Sequence, residues 1–186
     1  RGQIVDRKEF EKEFEKHKEL SRTASAGIFK GGLVDDSGGV TKFHTATHLL
    51  HACLRKILGE KVSQRGSNIT KERLRFDFSY DLKLTDEEIK KVEEMINEQI
   101  KSDLQVSFET KSLEEAKKEG ALAFFTGKYG EQIRVYTIGN PKGKYFSKEV
   151  CGGPHVERTG EIGHVRIIKQ EKIGSGVIRI YLINEI

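Results

Sequence analysis

Two short clusters of metal-binding side chains, far apart along the chain, constrain the fold of this sequence more than any other feature. The first cluster is His44 and His48, one helical turn apart in residues 44–58, a segment that we predict to be a helix ending at Gly59. Two histidines with this spacing let one helix chelate one ion. The opposite side of the helix is apolar and predicts a core face: Leu49, Leu50, Cys53 and Ile57.

The second cluster is Cys151 and His155, joined by Gly-Gly-Pro in a tight loop. With His44 and His48 it completes a set of three imidazoles and one thiolate, which suits tetrahedral Zn²⁺. Either cluster alone is more often a coincidence than a metal site. The chain has only six His and two Cys, so the presence of both clusters favours a shared ion. The sequence therefore predicts that these two distant segments fold together around zinc.

The remaining His and Cys residues receive other interpretations. Cys53 lies on the apolar side of the helix and is predicted to be a core thiol. His51 is about 10 Å along the helix axis from His44, so we expect it behind the ligands or in contact with substrate, not on the metal. His17 and His164 have no partner in the sequence and no predicted function.

The residue after His44 and the lack of several known motifs argue against other zinc and hydrolase chemistries. Zinc peptidases of the HExxH type carry a Glu after the first His, where this chain has Thr45. No CxxC, GxSxG or Walker-type loop is present.

Local patterns predict an α+β fold, a largely antiparallel sheet with helices packed on one face. Thr85 with Glu88, and Ser112 with Glu115, form capping boxes that start helices reaching about residue 102 and Gly120. The predicted strands are residues 61–70, 74–79, 106–110, 133–138, 162–169 and 176–182.

The first forty residues differ from the rest in sequence pattern. We predict a helix over 6–21, then glycine-rich turns over 24–43, and so divide the chain into a helical lead-in with linker, 1–40, and a zinc-binding domain, 41–186. The chain begins at Arg1 and its one Met is Met95, which favours a piece of a longer protein.

Charge and composition set further limits. The net charge of +4 is compatible with a polyanionic partner but does not require one. No apolar run is long enough for a membrane span or a secretory signal, so we expect no membrane partner. Two isolated cysteines favour a reducing compartment, and hence the cytoplasm. The sequence leaves the oligomeric state open.

Several motifs in order resemble the editing domain of alanyl-tRNA synthetase. They are His-Thr-Ala-Thr-His-Leu-Leu-His at 44–51, Val-Ser-Gln-Arg-Gly-Ser at 62–67, Arg-Leu-Arg-Phe-Asp-Phe-Ser at 73–79, Cys-Gly-Gly-Pro-His at 151–155 and Thr-Gly-Glu-Ile-Gly at 159–163. The resemblance covers residues 29–181. Freestanding alanyl-tRNA editing proteins and the threonyl-tRNA synthetase editing domain share this fold.

The resemblance implies a function and a set of site residues. The family hydrolyses the ester that joins a wrong amino acid, serine or glycine, to the terminal adenosine of alanine tRNA. Its zinc ligands fall on His44, His48, Cys151 and His155, and its substrate-pocket and catalytic residues on Thr47, Gln64 and Ser67. The implied partners are the acceptor end of alanine tRNA and the rest of the parent synthetase.

This sequence departs from the alanyl pattern at a few positions. Pro154 stands where the alanyl pattern usually has Thr and resembles the threonyl-type loop, which bears on substrate selectivity. Tyr80, His164 and Tyr181 also differ from the expected residues.

Alternatives remain open for single residues and for the whole domain. Thr47 could instead bond back to its own helix, and Asp77 is a distant candidate for a general base. Phosphate contacts could come from Arg65, Lys71, Arg73, Arg75 and Arg179, while an unidentified aromatic residue could stack on the terminal adenosine. The domain could also be a structural zinc module without hydrolysis, or could edit threonine tRNA carrying serine.

Overall fold

A computed structural model describes residues 38–124 and 132–185. The helix predicted over 6–21, the first part of the predicted linker and His17 lie outside these residues, and the division at residue 40 stays a prediction. The elements run in this order: α1 Gly38–Leu58, β1 Gln64–Ile69, β2 Leu74–Ser79, α2 Asp86–Lys101, β3 Val106–Lys111, α3 Leu113–Lys118, β4 Ile133–Gly139, β5 Tyr145–Val150, a 3₁₀ turn Thr159–Ile162, β6 Val165–Gly174 and β7 Val177–Asn184.

The strands form two antiparallel sheets, which confirms the α+β class. The four-stranded sheet has the order β1-β2-β7-β6, and the three-stranded sheet has the order β3-β4-β5. The sequence patterns predicted one sheet and missed β5, because Ser147, Lys148 and Glu149 in its middle give no apolar alternation. All three of these residues are nevertheless buried.

Helix α1 contacts strands of both sheets and so lies at the centre of the described structure. Within the described residues it already runs from Gly38, whereas the patterns predicted a start at His44; Val40 and Phe43 extend its buried stripe towards the N-terminus. The energy of burying these side chains outweighs the low helix propensity of Gly38 and Gly39.

The main core lies between α1 and the four-stranded sheet. Three residues of β2 alternate inwards, and each is paired with an inward residue of β7, in the register Leu74–Leu182, Phe76–Ile180 and Phe78–Ile178. All six side chains are fully buried, and each contributes about 1.5–3 kcal/mol to folding.

Helix α2 starts at the predicted capping box of Thr85 and Glu88 and covers the open edge of β6. Asn97 donates through Nδ2 to the carbonyl of Val165 at 2.8 Å and accepts from its N–H at 3.0 Å. Glu93 accepts from the N–H of Ile167 at 2.7 Å. These side chains satisfy backbone groups that an edge strand otherwise leaves unpaired.

The second predicted capping box, Ser112 with Glu115, starts α3. Ala116 of this helix packs on Ile133, Val135 and Val150 of the three-stranded sheet in a small second core. The opposite face of that sheet therefore remains for α1.

Candidate metal centre

The four predicted ligands come together at the junction of α1 and the loop that follows β5. Donor atoms of His44, His48, Cys151 and His155 all lie within 4.8 Å of one another. The ring of His155 stacks on that of His44 with a centroid separation of 4.2 Å and lies 4.8 Å from that of His48. Helix α1 supplies two donors one turn apart, and the loop with the sequence Gly-Gly-Pro places Cys151 and His155 next to them.

Hydrogen bonds at the far nitrogen of His44 and His48 hold their rings in place. His44 donates through Nδ1 to the carbonyl of Pro154 at 2.9 Å, and His48 donates through Nδ1 to Glu149 Oε2 at 2.7 Å. Neither a carbonyl nor a carboxylate can donate, so both rings carry a proton on Nδ1 and leave Nε2 as the nitrogen that faces the other donors. Such outer partners fix the orientation of metal-binding imidazoles.

The hydroxyl of Thr45 contacts the far nitrogen of His155, with Nδ1 at 3.2 Å. It also lies 3.3 Å from the carbonyl of Thr41 and accepts from the N–H of Val156 at 3.1 Å. His155 thus also directs Nε2 towards the other donors, and Thr45 is a structural residue and not the general base of the HExxH type.

The donor atoms that face the cluster fit a zinc ion. Nε2 of His48 and Nε2 of His155 are buried without a hydrogen-bond partner among the described residues, which is costly unless a ligand takes them. Sγ of Cys151 lies 3.2 Å from Nε2 of His44, and two donors on tetrahedral zinc are about 3.5 Å apart. The wider pairs must close by about 1 Å to bind one ion.

The surrounding charges prepare Cys151 and His155 for a metal. Burial raises the pKa of the Cys151 thiol, but His44 and His48 outweigh burial and hold that pKa well below its usual range. Burial, assisted by His44, lowers the pKa of His155 to about 3. Both groups are therefore in the deprotonated form that metal binding requires.

His48 responds differently. Burial lowers its pKa, but the charges of Glu149 and Cys151 raise the pKa to about 10. His48 must therefore release a proton when it binds a cation.

Glu149 is a candidate site residue that sequence reasoning missed. Besides His48, its carboxylate binds Nδ1 of His51 through Oε1 at 3.0 Å and accepts from Ser147 Oγ at 3.0 Å. Burial opposes its negative charge, yet His51 and His48 hold its pKa well below the usual range. It lies near the end of β5, two residues before Cys151, so assignment of β5 as a strand would have placed it beside the metal-binding loop.

The described structure places His51, Cys53 and His164 outside the donor cluster, as predicted. His51 is fully buried behind the ligands, bound to Glu149 and outside the donor cluster. Cys53 lies in the apolar core, where burial raises the pKa of its thiol. His164 is an exposed residue that pairs with Glu185 at 3.2 Å.

The hydroxyl of Thr47 bonds to its own helix, donating to the carbonyl of Phe43 at 2.8 Å. This is the structural alternative considered for Thr47. The oxygen still has lone pairs that can accept a hydrogen bond from a substrate, so a pocket role remains a proposal.

A β-bulge in β1 brings Gln64 and Ser67 onto one side of the four-stranded sheet. Residues three apart in a regular strand face opposite sides. Here the register shifts between Gln64 and Gly66, so that Gln64 lies opposite Phe78 and Ser67 opposite Phe76. Gln64 donates to Ser67 Oγ at 3.2 Å, and the ring of Phe76 lies 5.8 Å from that of His51. Both polar residues therefore lie on the sheet face that packs against α1.

Asp77 lies on the opposite face of the same sheet and is not placed to act as a general base. It accepts two hydrogen bonds from Arg179, at 2.7 and 2.9 Å. Arg179 is correspondingly occupied, and Arg73 lies over the ring of Tyr181 at 5.4 Å. Phosphate contacts by these arginines remain a prediction, as they do for Arg65, Lys71 and Arg75.

Comparison with known proteins defines the class. A family model described as the threonyl and alanyl tRNA synthetase second additional domain matches residues 133–181, which include Cys151 and His155. This match and the relatives described next show that the chain belongs to this family of synthetase domains.

The relatives specify the alanyl branch. The chain is 54% identical to an alanine–tRNA ligase of Treponema denticola over 99% of this chain and 30% of that protein. It is 50% identical to the alanine–tRNA ligase of Borrelia hermsii over 96% of this chain and 29% of that protein. The resemblance to alanyl-tRNA synthetase editing domains is thereby confirmed, and the chain spans about 30% of the length of these relatives.

Within the two described ranges, no helix combines the length and the apolar character needed to cross a bilayer.

Proposed function

We propose that this chain is a cytoplasmic, zinc-dependent editing domain that removes serine or glycine from mischarged alanine tRNA. The observation that carries the proposal is the cluster of His44, His48, Cys151 and His155, in which the donor atoms converge within 4.8 Å and two buried Nε2 atoms have no hydrogen-bond partner in the described part of the chain. The family match and the alanine–tRNA ligase relatives support the tRNA substrate.

Physical limits on amino-acid selection explain why such an activity is needed. An activation site that admits alanine cannot strongly exclude glycine, and an added hydroxyl is also weakly rejected by a small apolar pocket. A second site that hydrogen-bonds the serine hydroxyl discriminates far better, because the cognate alanine ester leaves its polar groups unpaired.

The proposed roles of the residues follow from where they lie. His44, His48, Cys151 and His155 hold the ion, which when bound supplies positive charge that positions and polarises the ester carbonyl. Thr47 offers a lone pair to the serine hydroxyl. Gln64 and Ser67, on the sheet face towards α1, hold the amino-acid portion and the attacking water, together with the ribose hydroxyl of the substrate.

A second candidate function, a structural zinc module that helps a synthetase hold tRNA, is favoured by one specific observation. The site offers four protein donors, and zinc with four protein ligands is usually structural. The threonyl alternative suggested by Pro154 gains no support from its contact with the site. Pro154 binds His44 through its backbone carbonyl, and Thr in that position has the same carbonyl.

A deacylation assay distinguishes these functions. The full chain, loaded with zinc, is incubated with alanine tRNA carrying serine, alanine tRNA carrying glycine and threonine tRNA carrying serine, and release of the amino acid is measured. We expect both alanine tRNAs to be cleared faster than the threonine tRNA. Zinc binding without any release above buffer supports the structural module, and preferential clearing of the threonine tRNA supports the threonyl alternative.

Two variants link this activity to the cluster. His44→Ala is expected to lose zinc and activity together, whereas Cys53→Ala, on the opposite side of α1, retains both and loses about 1 kcal/mol of stability from the small cavity. Full zinc stoichiometry in His44→Ala contradicts the ligand assignment.

A further inference from the structure

The inner face of the three-stranded sheet carries an aromatic and cationic patch beside the metal centre, made of Phe108, Arg134 and Tyr136. In the antiparallel register, Phe108 lies opposite Tyr136, and Tyr136 lies opposite Glu149. Directly opposite residues share a face, so these side chains project to the same side as the carboxylate that binds His48. The patch and the metal centre therefore belong to one surface.

Ring contacts connect the patch to the donor cluster. The centroid of Tyr136 lies 4.1 Å from that of His155 and 5.2 Å from that of Phe108. Tyr136 is 8% exposed and Phe108 is 50% exposed. The row of rings thus begins at a predicted ligand and ends at a large aromatic side chain in solvent.

Arg134 supplies a positive charge at the solvent end of the row. Its guanidinium lies 5.1 Å from the centroid of the Phe108 ring, and it stands two residues before Tyr136 in β4, on the same face of the sheet. The backbone carbonyl of Arg134 accepts from the N–H of Cys151 at 3.1 Å. The strand that carries this exposed cation is therefore bonded directly to one of the proposed ligand residues.

We propose that Phe108 and Arg134 form the subsite for the terminal nucleotide of the RNA substrate, with the base stacked on Phe108 and a phosphate paired with Arg134. This inference rests on the proposed editing function, in which the ester that reacts at the metal centre is attached to the ribose of that nucleotide. The base must then bind close to His155, where the row of rings lies.

The chemistry of the patch selects this occupant. A half-exposed aromatic ring and an arginine guanidinium both stack on nucleobases, and arginine also pairs with phosphate. An acidic peptide would engage the charge of Arg134 but would leave the ring of Phe108 without a stacking partner. A nucleotide uses both groups at once.

The test uses the zinc-loaded full chain and a hairpin RNA with the acceptor stem of alanine tRNA, ending in CCA and carrying serine through a stable amide. Its Kd is measured by fluorescence anisotropy at several salt concentrations. We expect Phe108→Leu to weaken binding about tenfold and Phe108→Tyr, which keeps a stacking ring, to restore it. Arg134→Gln weakens binding and reduces the salt slope by about one.

Tyr145→Leu is the matched control. Tyr145 is 40% exposed with Lys148 over its ring at 5.8 Å, a comparable aromatic and cationic pair that lines a separate cleft with Arg55 and Lys56. We expect Kd, the KM for deacylation and the zinc stoichiometry of this variant to match those of the wild type.

The outcomes separate this inference from the function on which it rests. A wild-type chain that binds zinc and removes serine, while Phe108→Leu keeps its Kd and KM, overturns the stacking subsite alone. Equal weakening by Tyr145→Leu also overturns it. A wild-type chain that removes no amino acid overturns both proposals.

Discussion

At the residue scale, the candidate site is defined by which nitrogen of each imidazole is already occupied. Nδ1 of His44, His48 and His155 is bound to a carbonyl, a carboxylate and a hydroxyl, respectively. Each partner holds Nδ1, so all three rings direct Nε2 towards the other donors. The residue types alone predicted the ligands, but only the hydrogen bonds show which nitrogen of each ring is left for an ion.

Glu149 provides a prediction at this scale. Glu149→Gln keeps the size of the side chain but offers one acceptor oxygen where two imidazoles and Ser147 now donate. We expect zinc affinity to fall by about tenfold to a hundredfold, because the ring of His48 is no longer fixed. Competition with a chromophoric chelator measures the affinity.

Variants of His51 test whether this effect depends on the hydrogen bond. His51→Asn keeps an N–H donor close to the position of Nδ1 and is expected to bind zinc within a few-fold of wild type. His51→Leu has no such donor, and we expect its zinc affinity to fall as it does in Glu149→Gln. Circular dichroism shows whether each variant is folded. Wild-type affinity in a folded Glu149→Gln variant rules out the positioning role.

At the element scale, sequence patterns located those elements whose signals are local. Both capping boxes, Thr85 with Glu88 and Ser112 with Glu115, start helices as predicted, because the motif satisfies backbone N–H groups from within four residues. Strand β2 has the predicted bounds, since its inward residues alternate strictly.

Elements that depend on distant partners were misplaced or missed. The buried charge of Glu149 is compensated by His48 and His51 of α1, which are distant in sequence. The local patterns therefore did not predict β5. The bulge next to Gln64 is a property of the pairing between β1 and β2 and has no local signal here. For the same reason the sequence named Gln64 and Ser67 but could not place them on one face.

The cover of the β6 edge by α2 gives a prediction for a single side chain. Asn97→Ala leaves both the N–H and the carbonyl of Val165 without their present partners. We expect the free energy of unfolding to fall by about 2 kcal/mol, measured by urea denaturation, with zinc stoichiometry unchanged. Glu94→Ala, an exposed change on the same helix, is the control and stays within about 0.5 kcal/mol of wild type. Equal stability of the two variants contradicts the assigned role of Asn97.

At the scale of the described structure, α1 and the Cys151–His155 loop belong to parts of the chain far apart in sequence. An ion bound by both joins α1 to the three-stranded sheet and stabilises the native state by mass action, about 4 kcal/mol at a free zinc concentration of 1,000 times Kd. The same junction places the patch of Phe108 and Arg134 beside the site. Zinc binding, the proposed nucleotide binding and the proposed hydrolysis thus all depend on the packing of α1 against the three-stranded sheet.

The local zinc environment tests the central claim most directly. X-ray absorption spectroscopy on the purified, zinc-loaded chain is expected to show one ion with three nitrogen neighbours at about 2.0–2.1 Å and one sulfur at about 2.3 Å. His44→Ala loses this spectrum, whereas Cys53→Ala keeps it. A folded chain that takes up no zinc from excess salt, or a bound ion without a sulfur neighbour, contradicts the account.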